Sequence, residues 1–203
     1  SDVSLTASGN TLVFHSGSAV NLVSSTLATN AAQYRANLSN QTIGNGTLDS
    51  GSLNAFGVAS DMRGDVDAIQ SLSNSSIRNT DIEGVFVQSR LDNDADAEIG
   101  VLDFTLRDNT VGVPDDNSAF PFGAVYGTRI ESRNTSNLCF DAFSNTSAGV
   151  GGLEHFRVRQ RDTSTFRAER LAAGAQTAAT MQTHMVTQND AGSTASATVA
   201  TSF

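Results

Sequence analysis

"VFVQSR" (Val85–Arg90) is written twice more in altered spelling, as "TRIESR" (Thr128–Arg133) and as "FRVRQR" (Phe156–Arg161). Registered by their final arginine, the three hexamers alternate in step. Successive side chains of a strand point to opposite faces. One face therefore receives Val85, Val87 and Ser89, then Thr128, Ile130 and Ser132, then Phe156, Val158 and Gln160. That face is mainly apolar and predicts a core side. The other receives Phe86, Gln88 and Arg90, then Arg129, Glu131 and Arg133, then Arg157, Arg159 and Arg161, and predicts a wet side. If equivalent strands stack in parallel about 4.8 Å apart, Glu131 lies beside Arg159, and Arg90, Arg133 and Arg161 form an exposed ladder. An enzyme site is normally assembled once, so a recurring strand points to architecture, and the arginines read as a solvated face.

A second phrase precedes each hexamer: "SSIRNT" (Ser75–Thr80), "FTLRDNT" (Phe104–Thr110) and "AFSNTS" (Ala142–Ser147). Each leads an apolar residue into an Asn-containing turn, where Asn and Asp bond neighbouring backbone and tolerate left-handed conformations. Matching Ile77, Leu106 and Phe143 aligns Asn79 with Asp108 and Asn145. Matching the Asn-Thr pairs aligns Asn79 with Asn109 and Asn145 instead. A one-residue slip exchanges the faces of a strand, so the two registers are distinct structures.

The period is uneven, with 43 residues from Arg90 to Arg133 and 28 from Arg133 to Arg161. The excess falls in "VGVPDDNSAFPFG" (Val111–Gly123), which holds both prolines and reads as a loop inserted into a coil. Turns of uneven length around an aligned core describe a solenoid.

These residues resemble the right-handed parallel β-helix, in particular the C-terminal part of large secreted or surface-exposed bacterial β-helix proteins. The likeness is carried by "VFVQSR", by the Cys-bearing "NLCFDAFSNT", by "FRVRQRDTSTFRAERL" (Phe156–Leu171), and by the closing "TAATMQTHMVTQN" and "STASATV". It covers about residues 66 to 203, brings no catalytic residues, and implies an all-β solenoid with a short C-terminal capping helix. Residues 66–171 are the coils it supports best, and residues 172–203 are a helical cap and terminal strand. Residues 1–65 match it less well, but "SLTASGNTLVFHSGSAVNLVSSTLATN" alternates short β-rich runs with Gly/Asn/Ser turns, which extends the coils through a single domain of residues 1–203. "NAAQYRANLSNQ" (Asn30–Gln41) reads as a loop excursion or a short helix. Ala178, Met181 and Met185 stand at helical spacing within Thr177–Asn189 and predict a cap over the open end of the core.

The 21 acidic residues outnumber 12 basic ones, all arginine, and the net charge of −9 argues against nucleic acid, anionic membrane surfaces and other polyanions. The charge is uneven: residues 1–128 carry 15 acids and 5 arginines (−10), residues 129–170 carry 7 arginines and 5 acids (+2), and the tail adds −1. Cys139 sits alone between apolar neighbours, forms no internal disulfide, and reads as a small buried thiol. No stretch approaches the ~20 apolar residues of a membrane span. The opening "SDVSL" lacks Met, which fits a removed leader or a part of something longer, and either suits a secreted or cell-surface protein.

Candidate chemistry is sparse. In "LDNDADAEIGVLD", counting Asp92 as position 1 puts Asp94 at 3, Asp96 at 5, Glu98 at 7 and Asp103 at 12, which echoes the oxygen-ligand spacing of a calcium loop. Ala97 stands where such a loop needs Gly, so the expectation is narrower: calcium, where it acts, is held by Asp92, Asp94 and Asp96. His15, His155 and His184 are scattered, and no nucleophile motif or phosphate loop occurs. Asp65 with Asp67, or Glu131 with Asp103, are the carboxylates a polysaccharide lyase or hydrolase would use. The sequence therefore predicts a non-enzymatic structural or adhesive module, associating with neighbouring repeats of a longer chain or with other copies in a filament. The competing expectation is a carbohydrate-active β-helix that binds or cleaves surface polysaccharide.

Overall fold

A computed structural model of the chain describes residues 2–24, 32–48, 50–91, 100–112, 114, 126–149, 155–172, 176–189 and 195–198. Each coil begins with a long strand of a first sheet: β1 (Asp2–Ser8), β4 (Ala32–Ser39), β7 (Val66–Ser73), β10 (Val101–Arg107), β13 (Asn137–Phe143) and β16 (Thr165–Ala168). A tight turn leads to a two-residue strand of a second sheet: β2 (Thr11–Leu12), β5 (Thr42–Ile43), β8 (Ser76–Ile77), β11 (Thr110–Val111) and β14 (Thr146–Ser147). The coil closes on a third sheet made of β3 (Val20–Ser24), β6 (Val58–Arg63), β9 (Val85–Arg90), β12 (Thr128–Ser132), β15 (Phe156–Gln160) and β17 (Ala195–Thr198). In each sheet the strand of one coil pairs with that of the next, in parallel, and the chain is a parallel β-helix. In the last coil α1 (Ala178–Gln188) stands where the earlier coils have a second-sheet strand.

The hexamers stack as their alternation predicts: Thr128 pairs with Val85 and with Phe156 although the chain takes 43 residues for one turn and 28 for the next. Most of the inserted loop, residues 113 and 115–123, lies outside the described residues, and the strands on either side of it keep their register. Val85, Val87, Ile130, Phe156 and Val158 are buried. On the first sheet Leu102, Phe104 and Leu106 alternate inward, with Phe104 stacked between Gln70 and Phe140 in adjacent coils. Large side chains buried in this way each contribute roughly 1.5–3 kcal/mol. Gln70 is the polar member of its column, and its amide is satisfied inside, accepting from Ser60 Oγ at 2.6 Å and donating to Met62 Sδ at 3.1 Å. Gly84 precedes the third-sheet strand at a close approach, since a Cβ there would lie 2.3 Å from Val111 Cγ1.

At the turn after the first sheet a column of side chains runs the length of the stack. The N–H of Gln41 donates to Ser75 Oγ, that of Ser75 to Asn109 Oδ1, that of Asn109 to Asn145 Oδ1 and that of Asn145 to Asn189 Oδ1, each at 3.0 Å. Asn189 is the C-cap of α1, so the helix ends by completing the ladder. The preceding position in each coil, at Asn40, Asn74, Asp108 and Ser144, has φ between 49° and 55°. Pairing Asn109 with Asn145 matches one of the two sequence registers, but Asn79 belongs to neither column. It occupies a separate left-handed turn (φ 57°), because Ile77 aligns with Val111 rather than with Leu106.

Three further expectations are corrected. Within Asn30–Gln41 the described residues form neither helix nor loop excursion: Ala32–Ser39 is β4, paired with β1 and β7, and Asn40 and Gln41 make the turn after it. Cys139 is not buried, because it alternates with the inward Leu138 and Phe140 and so faces outward. It lies half-exposed with Sγ 3.7 Å from Glu169 Oε1, and burial with that carboxylate pushes its thiol up to about 11. The outward face of the hexamers is not simply wet either, since Phe86, Gln88 and Glu131 are buried on it. The helical cap forms as expected, with Thr177 as N-cap and Met181 and Met185 fully buried over the core.

Candidate functional site

The outer face of the third sheet gathers charge from four coils. Arg63 aligns with Arg90, and the backbone bonds of Arg133 to Ser89 and of Arg161 to Ser132 carry the same column onward. Beside it run Asp61, Gln88, Glu131 and Arg159, then Ala59, Phe86, Arg129 and Arg157. "VASDMR" (Val58–Arg63) is thus a fourth copy of the hexamer, with Val58, Ser60 and Met62 inward and an arginine at its end.

Carboxylates bridge the arginines between coils. Asp61 accepts from Arg90 Nε at 3.0 Å and Nη2 at 2.9 Å, and from Arg63 Nε at 2.8 Å. Burial pushes the Asp61 carboxyl up, but the hydrogen bonds from Arg90 and Arg63 outweigh it and hold it below its ordinary value. Glu83, 2% exposed, meets Arg129 at 3.1 Å, and there burial prevails and raises its pKa. Glu131 is 3% exposed and shares one carboxylate among Arg161 at 3.4 Å and Arg133 and Arg159 at 3.6 Å, beyond ordinary hydrogen-bond length. The predicted neighbours Glu131 and Arg159 are therefore in contact. The ladder of Arg90, Arg133 and Arg161 exists as well, tied to Asp61 and Glu131 rather than free in solvent.

Two guanidiniums of this face lie over aromatic rings. Arg129 Cζ is 4.4 Å from the centroid of Phe86, which stacks on Phe56, and Arg157 Cζ is 4.8 Å from that of Tyr126, to whose hydroxyl Arg157 donates. The Nε atoms of Arg129, Arg133, Arg157 and Arg159 are buried without a hydrogen-bond partner. Burial, together with neighbouring arginines, lowers Arg157 and Arg159 from the ordinary arginine value.

The two ends of the stack differ. At the C-terminal end α1 covers the core. At the other end β1, β2 and β3 are edge strands of their sheets, and no described strand pairs with their outer sides. Val3 and Leu5 occupy core-facing positions there but are 47% and 38% exposed, whereas their partners one coil further in are half-buried (Tyr34) and 4% exposed (Ala36).

The other candidates do not converge. Asp67 is paired with Arg35 at 3.0 Å, and Asp103 lies on the first sheet while Glu131 lies on the third. Burial, then Asp141 and Asp67, raise the Asp103 pKa. His15, His155 and His184 belong to three different coils. Asp92, Asp94 and Asp96 lie outside the described residues. Among the described residues no three His, Cys, Asp or Glu are grouped to hold a metal ion. No described helix is long and apolar enough to cross a membrane. Comparison with protein families, with curated proteins and with solved structures finds no match to this chain.

Proposed function

We propose that the chain is a non-enzymatic structural or adhesive module of a secreted or cell-surface bacterial protein, and that its N-terminal edge pairs with a further β-coil from a neighbouring repeat or a second copy. The observation that carries this reading is the asymmetry of the ends: one closed by α1, the other presenting strand edges that no described strand covers and half-exposed Val3 and Leu5. Unpaired edges template pairing unless they are covered, and solenoids depend on terminal caps. Pairing between copies through this one end makes closed pairs, and a filament built end to end needs α1 to move aside. Sedimentation and electron microscopy of the purified chain test the reading. Concentration-dependent pairs lost in Val3→Lys/Leu5→Lys support it, and a monomer at all concentrations with fully protected β1 amides contradicts it.

The second reading, a β-helix that holds or cleaves polysaccharide, draws on the charged outer face of the third sheet. Sugar release from a polysaccharide panel, abolished by changing Glu83 or Glu131, would reverse the ranking.

A further inference from the structure

We infer that the arginine face of the last two third-sheet coils, built from Arg129, Arg133, Arg157, Arg159 and Arg161, is a binding surface for an acidic glycan carrying carboxylate or sulfate groups. This names a ligand class for the adhesive reading and does not depend on coil pairing at the opposite end.

Charge segregation is the first ground. Arg63 and Arg90 join these five on the outer face, so seven of the twelve arginines of a chain with net charge −9 lie on one face of one sheet. Among the described residues the carboxylates that pair with the five proposed arginines are Glu83 and Glu131, which leaves 5 − 2 = +3 on that surface. Charges further away than about 8–10 Å are largely screened at physiological salt, so an approaching anion meets this local excess rather than the net negative charge. The net charge alone argued against polyanions because it averages over surfaces that the fold keeps apart.

Unused donor capacity is the second ground. A guanidinium offers five N–H donors, yet Glu131 serves three arginines at 3.4–3.6 Å, and no carboxylate lies within ion-pair distance of Arg157 among the described residues. Guanidiniums on adjacent strands about 4.8 Å apart repel one another, and an anion laid across the coils would relieve that repulsion while accepting paired N–H bonds of the kind carboxylate and sulfate oxygens take from arginine.

The local chemistry favours a glycan over a nucleic acid. Single-stranded nucleic acid is held by bases stacking on open aromatic faces. Here the Phe86 ring lies between Phe56 and Arg129, and Tyr126 is overlaid by Arg157. The arginines are also held short, with side chains 26–38% exposed at Arg129, Arg133, Arg159 and Arg161, anchored along sheet strands instead of on a reaching loop.

The test is retention and calorimetry of the full chain with dextran sulfate, polygalacturonate, neutral dextran and a mixed-sequence oligonucleotide, at low and physiological salt. The expected result is binding of the sulfated or the carboxylated polymer, the arms showing which anion is preferred, with none for neutral dextran. Arg157→Gln/Arg159→Gln should weaken it by about tenfold or more, the loss that goes with one charge-assisted bond. Arg161→Gln, with a side chain 38% exposed, repeats the test should the double variant unfold, and Arg35→Gln on the first sheet should leave binding unchanged. Failure to bind either acidic polymer, equal binding of neutral dextran, tighter binding of the oligonucleotide, or an equal loss in Arg35→Gln overturns the proposal. Coil pairing is read separately by sedimentation, so its failure would not be mistaken for loss of this site.

Discussion

Asn145→Ala should be among the most destabilising single changes available in the turns. Asn145 is fully buried, and its Oδ1 accepts from both the N–H and the Nδ2 of Asn109 at 3.0 Å. Its Nδ2 donates to Leu106 O, Phe143 O and Asn189 Oδ1, each at 2.9 Å. Truncation leaves the Asn109 N–H buried without that acceptor, a penalty of about 1–3 kcal/mol, and removes the donor shared by the three oxygens at roughly 1 kcal/mol net. The expected loss is about 3 kcal/mol, read by urea unfolding, with faster hydrogen exchange at the Asn109 amide. Ser71→Ala, on the outer face, should change stability by less than about 0.5 kcal/mol. Asn145→Asp separates the two halves of the amide: it keeps the acceptor for Asn109 but turns the donor into an oxygen facing three oxygens. Such a buried carboxyl has a folded pKa above its unfolded value of about 3.9, so the variant is tolerated below that pH and loses stability as pH rises through the folded value. A cost below about 1 kcal/mol for the alanine variant, with unchanged Asn109 exchange, would refute the ladder's role.

Gly84→Ala places a methyl 2.3 Å from Val111 Cγ1 and should cost about 1–3 kcal/mol by overpacking, measured by thermal melting. Met185→Ala empties part of the cap and should cost about 2–5 kcal/mol, with exchange rising first in β13 and α1. The Asp61 and Glu83 carboxyls should titrate in opposite senses by NMR. Asp61, held low, supports the fold above its unfolded pKa and loses that support as pH falls through its folded value, whereas Glu83, raised, costs stability as pH rises through its folded value. Asp61→Asn should therefore flatten the acid limb of the stability profile, and Glu83→Gln its rise on leaving neutral pH downward. Calcium held by Asp92, Asp94 and Asp96 predicts a melting temperature raised by millimolar calcium, returned by chelator, and insensitive to calcium in Asp94→Asn/Asp96→Asn.

The stacking of the hexamers is readable because burying one face forces period-two alternation, and Val85, Thr128 and Phe156 each keep their place in it. "VASDMR" obeys the same alternation, but Ser60 interrupts its apolar face and Met62 stands where the other copies have Ser or Gln, which leaves the final arginine as the signal that it belongs. Ser75 hides in the asparagine ladder because a hydroxyl serves where an amide oxygen does, so residue identity misled the register there. The burial of Glu131 and Phe86 was illegible for a different reason. It comes from arginines one coil away, a relation between strands that no single strand spells out. Cys139 has apolar neighbours in the chain, yet they turn inward while it turns out.

The register of the coils underlies every other statement, and disulfide trapping tests it directly. In a Cys139→Ser background, Ser71→Cys with Thr105→Cys joins positions paired between β7 and β10. Parallel neighbours lie about 4.8 Å apart, inside the 4.4–6.8 Å Cα window of a disulfide, whereas Ser71→Cys with Arg107→Cys is displaced two residues and falls at roughly 8 Å, outside it. The account predicts rapid, complete cross-linking of the first pair under mild oxidation and little of the second. Equal cross-linking of both, or of the second alone, would contradict it.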